Sequence, residues 1–70
     1  MRRLKLKVFR VSKGLSQQEM AEKLGCSRSR YAGIEAGKRD GAQKFWKTLQ
    51  QTFNISDDKM WGLMNKEETK

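Results

Sequence analysis

Apolar residues at Leu4, Val8, Val11 and Leu15 are separated by four, three and four positions, the spacing that lines one face of an α-helix. The pattern predicts a helix over Arg2 to Lys13 that buries this stripe and carries Arg2, Arg3, Lys5, Lys7 and Lys13 on its other face. Gly14 follows, a residue that takes the left-handed conformation of a helix end without steric cost. Ser16-Gln17-Gln18-Glu19 then has the form of a capping box: the serine oxygen accepts from the Glu19 amide and the Glu19 carboxylate reaches back to the Ser16 amide. It opens a second helix, Gln17 to Leu24, which Gly25 stops. After Cys26, Ser27 caps a third helix over residues 28–36, with Tyr31 and Ile34 three apart on its inner side and Gly37 beyond its end.

The loop Lys38-Arg39-Asp40-Gly41 leads to a fourth helix from Ala42 to Phe53, whose inner face is marked by Trp46, Leu49 and Phe53, with Asn54 as its C-terminal cap. Ser56 followed by Asp57 and Asp58 suits the start of a fifth, short helix, because a capping hydroxyl and acids both favour a helix N-terminus. Met60, Leu63 and Met64 complete it. Trp46 is assigned to the core and so is Trp61; an exposed Trp61 or Phe45 beside Met60, Leu63 or Met64 would instead mark a subunit interface. Residues 65–70 read as a frayed tail on a single domain over residues 1–64. No strand-like alternation, repeat or low-complexity tract interrupts the pattern, so the expected fold is all-α with five helices.

Seventy residues are close to the smallest chain that holds a core without disulfides or metal, so nearly every long apolar side chain is needed inside. Cys26 is the one cysteine and cannot close an internal disulfide, and the chain lacks histidine. The usual nucleophile–base pairs and metal-ligand clusters are therefore out of reach. Cys26 itself reads as a small, half-buried hydrophobe. Glu19 is absorbed by its capping box, and no unexplained pair of acids remains for catalysis, so an enzyme is not expected, nor a cofactor, a metal or a small-molecule ligand. No apolar run approaches the length of a membrane span or a signal peptide, and a cytoplasmic, nucleoid-associated location is expected. The net charge of +8 is unevenly placed, with 13 Lys/Arg against 4 Asp/Glu through Ile55 and 3 against 4 from Ser56 onward. Such a gradient implies a polyanionic partner for the first three quarters of the chain.

Two short helices joined by a glycine-containing turn form a helix-turn-helix if a small residue lets them approach, and Ala21 stands four residues before Gly25. The run LSQQEMAEKLGCSRSRYAGIEAGKR over residues 15–39 resembles the lambda-repressor-like, Cro/CI type of helix-turn-helix regulator, whose usual run reads much like LSQEELAEKLGVSxxxIxxIExGKR. The resemblance extends from about Leu4 to Leu63, since the family also has a fourth helix and an ending like Ile55 to Met60. It implies double-stranded DNA as the partner, with the third helix in the major groove. Arg28, Ser29, Ala32 and Gly33 match the base-reading face. Gln17 and Ser27 match positions that hold phosphates, and Lys38, Arg39, Gln43 and Lys44 match a second phosphate clamp. Arg10 and Glu35 match an internal ion pair between the first and third helices.

Among these, Arg28 can pair with guanine O6 and N7 or simply meet a phosphate, and Ala32 can touch a thymine methyl. Arg30 lies off the centre of the face and reads as a phosphate contact. The chain departs from the family's pattern at three points. Gly41 replaces a frequent proline, which implies a more mobile loop before the fourth helix. Gly33 stands where many members carry a long polar side chain, which implies one missing base contact. Cys26 replaces a valine or threonine. The function implied is that of a transcriptional regulator, a stand-alone Cro-like repressor of phage or another mobile element, binding a palindromic operator as a homodimer with half-sites about 34 Å apart. The alternatives are an antitoxin-type or other protein-interaction module, which would expose several of Phe45, Trp61, Leu63 and Met64, and a non-specific nucleoid protein.

Overall fold

The computed structural model describes residues 2–65; of the tail expected to fray over residues 65–70, residues 66–70 lie outside the described residues. Every regular element described is a helix: α1 (Leu4–Ser12), α2 (Gln17–Leu24), α3 (Arg28–Glu35), α4 (Gln43–Phe53) and α5 (Asp57–Met64). The helices α2 and α3 pack on each other, α1 packs on α5 and α3, and α4 packs on α2 and α5. Leu6, Met20, Tyr31, Ile34 and Leu49 are fully enclosed at the centre, with Ala21 beside them.

The ends of these helices follow from local chemistry. Ser16 and Glu19 form the reciprocal capping box, and Ser27 and Ser56 accept from the amides of Arg30 and Lys59. Asn54 closes α4 in the left-handed conformation at φ 53°, which an asparagine tolerates better than most residues.

The first helix does not bury the stripe its spacing suggests. Val8 and Val11 are 65% and 57% exposed, Leu4 and Leu15 are half-buried, and Leu6 and Phe9 face the core instead. The aromatic ring explains the choice: Phe9 offers on the order of 200 Å² for burial, more than either valine, and meets Phe53 edge-on at 5.2 Å. This rotation brings Arg3, expected on the solvent face, inside the fold at 4% exposure. The helix also starts at Leu4, not Arg2: Arg3 is its N-cap, with a non-helical φ of −91° and ψ of 74°, and the Arg3 amide donates to Glu35 O at 2.9 Å, a link between chain segments.

Trp61 is the second correction. It is 70% exposed, while Met60 and Leu63 on the same helix are buried and Met64 is 38% exposed. Trp46 and Phe45 lie in the core and contact each other edge-on at 4.8 Å.

Candidate nucleic-acid interface

The turn between α2 and α3 is built on Gly25, whose φ of 72° and ψ of 30° are left-handed, and on the Cys26 amide, which donates to Ala21 O at 3.0 Å. Ser27 then starts α3 by accepting from the Arg30 amide at 3.1 Å. Tyr31, Ile34 and Glu35 turn inward, so the opposite side of the helix carries Arg28, Ser29 and Arg30, all exposed, and then Ala32, Gly33 and Ala36, which are half-buried. Beyond its first turn the outward face of α3 thus has no side chain longer than alanine.

Behind that face the first three helices meet at one polar knot. Arg10 donates from Nε to Glu35 Oε2 at 2.9 Å, from Nη2 to Glu35 Oε1 at 3.2 Å, and from Nη1 to Leu15 O at 2.7 Å. Two parallel contacts to one carboxylate give the planar geometry that only arginine supplies. Gln17 also donates to Glu35 Oε1, at 3.3 Å, so its half-buried amide serves the knot and fixes the start of α2. Burial alone would raise the Glu35 carboxyl, but Arg10, together with Tyr31 and Gln17, outweighs it and holds the group below its usual value. Burial, and next the Glu35 carboxylate, push the Tyr31 phenol far up, so it stays protonated.

The loop after α3 is held as firmly. Gly33 O accepts from the amides of both Lys38 and Arg39, at 2.9 and 3.1 Å. Arg3 reaches in from the other end of the domain: Nη1 donates to Ile34 O at 2.6 Å and to Arg39 O at 2.8 Å, Nη2 to Asp40 O at 3.2 Å, and Nε to Met64 O at 2.8 Å. Its guanidinium also lies 5.2 Å from the centre of the Trp46 ring, and Trp46 Nε1 donates to Asp40 O at 3.2 Å. Burial lowers the Arg3 pKa, against the pull of Asp40, yet a guanidinium starts so far above neutrality that it stays cationic. The mobility expected from Gly41 is therefore countered by hydrogen bonds. Glycine is required there by shape: φ is 80°, and a β-carbon would stand 3.0 Å from Trp46 Nε1.

The start of α4 is open by contrast. Ala42 gives it no side-chain cap and its first turn holds no acid, so the leading amides keep their partial positive charge. Gln43 and Lys44 are exposed beside them, as are Lys38 and Arg39 in the loop. Gln17, Ala32 and Lys38 line one cleft with Arg10 and Glu35, and Arg30 and Lys44 line another with Cys26. Burial raises the Cys26 thiol, with Arg30 opposing, so it stays protonated at neutral pH. Among the described residues no cluster of acids and cysteine could hold a metal ion, and no described helix is long and apolar enough to cross a membrane.

Sequence reasoning missed Arg3. The signal was present: Arg3, Leu6 and Arg10 are three and four residues apart, on one helical face with Phe9, and choosing that stripe in place of Leu4-Val8-Val11 would have pointed Arg3 inward.

A helix-turn-helix family model matches residues 6–60. An HTH-type transcriptional regulator derived from the SPbeta prophage, YonR of Bacillus subtilis (strain 168), is 41% identical over 54 residues, which is 77% of this chain and 50% of the relative. The HTH-type transcriptional regulator MJ0272 of Methanocaldococcus jannaschii is 37% identical over 51 residues, 73% of this chain and 77% of the relative. The chain thus spans about half the length of the first relative and most of the second. No solved structure matches it.

Proposed function

This chain belongs to the lambda-repressor-like helix-turn-helix family of transcriptional regulators, and from that premise we propose that it binds a specific, palindromic DNA operator as a homodimer and acts as a Cro-like repressor of phage or mobile-element origin. The observation that carries this reading is the outward face of α3. Its small residues Ser29 and Ala32 allow close approach to a groove floor, Gly33 is covered by the stem of Arg39, and cations stand on both sides of the helix. Arg28 at the exposed start of α3 reads a base edge, and Ala32 meets a thymine methyl. Phosphates are met on one side by Gln17, Ser27 and Arg30. Ser27 Oγ accepts from its helix and keeps a proton to donate. On the other side Lys38, Gln43, Lys44 and the uncapped amides of α4 meet the second strand.

The dimensions suit two copies on one duplex. The domain measures 31 × 26 × 24 Å, so domains centred on successive major grooves, about 34 Å apart, come close to touching. Trp61 and Met64 are the exposed apolar groups of α5 available to such a contact. Phe45 and Leu63 are buried, so two of the four residues that an interaction module would expose are not available to an unrelated protein partner.

The test is fluorescence-anisotropy binding to duplexes selected from a random pool, across a salt series, with Arg28→Ala and Lys38→Ala alongside. A palindromic motif is expected, with a slope of about −0.9 in log affinity against log salt per phosphate neutralised. Arg28→Ala should relax the motif and Lys38→Ala should weaken all duplexes alike. No preference over random DNA would refute operator binding.

A further inference from the structure

Gly33 leaves a vacancy on the outward face of α3, and the vacancy is filled from elsewhere in the chain. A β-carbon placed on Gly33 would lie 2.9 Å from Arg39 Cδ, 3.1 Å from Nε and 3.2 Å from Cγ. The side chain of Arg39 is therefore folded back across the helix, its stem lying on the bare backbone and its guanidinium starting where the outer atoms of a residue-33 side chain would be. The backbone fixes this arrangement, since Gly33 O accepts from the amides of Lys38 and Arg39 and so holds residue 39 directly beside residue 33. Arg39 is exposed, and among the described residues its guanidinium has no hydrogen-bonding or ionic partner.

We propose that Arg39 is a base-reading residue of this domain, delivered onto the recognition face by Gly33 in place of a side chain from α3 itself. The inference rests on the reading of α3 as the helix that enters the major groove, and it takes Arg39 out of the phosphate clamp with which the family resemblance groups it. The chemistry fits a guanine. A guanidinium presents two parallel donors to O6 and N7, and past the first turn, where Arg28 stands on the face and Arg30 off its centre, α3 itself offers no side chain long enough to reach a base edge with paired donors. The glycine has a function in this arrangement: any β-carbon at residue 33 displaces the arginine stem, so the absence of a side chain on the helix is what places one from the loop.

The experiment is the same pool selection with unaltered protein, Arg39→Ala, Gly33→Ala and Lys38→Ala, each measured for sequence preference and salt slope. Arg39→Ala should erase the preference at one base pair per half-site, a loss of discrimination of the order of tenfold to a hundredfold, with little change in affinity for random duplexes. Gly33→Ala should lose preference at that same base pair while raising the thermal midpoint, because alanine favours the helix and the displaced arginine is flexible; a folding defect cannot produce that pair of results. If Arg39→Ala instead weakens all duplexes equally and lowers the salt slope, as Lys38→Ala should, Arg39 is a phosphate contact and the proposal is wrong. It is equally wrong if Arg39→Ala leaves the preference of the unaltered protein intact. An unaltered protein with no preference at all overturns operator binding itself, and this assignment with it.

Discussion

Replacing Arg3 with methionine keeps an unbranched apolar stem and removes the donors to Met64 O, Ile34 O, Arg39 O and Asp40 O. A hydrogen bond with a charged partner contributes about 1.5–3 kcal/mol, but four on one side chain do not add. Only the bond to Ile34 O is buried; the other three are partly so, and water can take over some of those acceptors. A loss of about 2 kcal/mol at Ile34 and a few tenths at each of the others gives about 3 kcal/mol in all. A domain of this size holds only about 4–10 kcal/mol, so Arg3→Met should remove a third or more of its stability and lower the thermal midpoint by about 12–24 °C. Urea and thermal unfolding followed by far-UV circular dichroism measure this directly, with exposed Arg2→Met as the control that should change little. Arg3→Lys keeps the charge but loses the planar fork and should recover only part of the loss. A cost below about 1 kcal/mol for Arg3→Met would refute the assignment of Arg3 as the tie between the two chain ends and the loop. Full stability in Arg3→Lys would show that charge, not fork geometry, holds it.

Because the Glu35 carboxyl is held below its usual value in the folded state, it contributes stability that is present above the unfolded value of about 4.3 and lost as pH falls through the folded one. Glu35→Gln should cost about 3–5 kcal/mol at pH 7 and flatten the fall in urea midpoint between neutral and acid pH; an undiminished fall would assign it to other carboxylates. Gly14→Ala and Gly41→Ala both place alanine at positive φ, but Gly14 faces open space and Gly41 faces Trp46. Gly41→Ala should therefore cost about 1 kcal/mol more in thermal unfolding, and equal costs would mean that the Trp46 ring yields freely. Trp61→Ser should leave monomer stability within about 0.5 kcal/mol, remove the solvent-exposed component of tryptophan emission, and weaken self-association in sedimentation equilibrium. A loss above about 1 kcal/mol would show that Trp61 is packed.

What was legible in the sequence was what depends on residues a few positions apart. Ser16 with Glu19, Ser27 with Arg30 and Ser56 with Lys59 satisfy one another across three residues, and Gly14, Gly25 and Gly37 take positive φ where each helix stops. The face a short helix turns inward is a different kind of question. In α1 the set Leu4, Val8 and Val11 competes with Leu6 and Phe9, and in α5 the pair Trp61 and Met64 competes with Met60 and Leu63; each set keeps a helical spacing, and periodicity cannot rank them. The inner face of α5, Met60 and Leu63, is the one expected, and only Trp61 and Met64 beside it turn outward; α1, whose stripe is misassigned, packs on that helix. Burying Leu6 and Phe9 puts Arg3 and Arg10 on the same side of the chain, and that side is where Ile34 O, Met64 O and the Glu35 carboxylate wait as acceptors. One of those acceptors is 61 residues away from Arg3, so no local pattern could announce it. The contact of Arg39 with Gly33 has the same origin: it exists because two loop amides share one carbonyl. In a core this small the register of the first helix is settled as much by where its arginines find oxygen as by where its apolar groups find each other, and the polar ties that decide it also hold the α3–α4 loop beside the proposed recognition face.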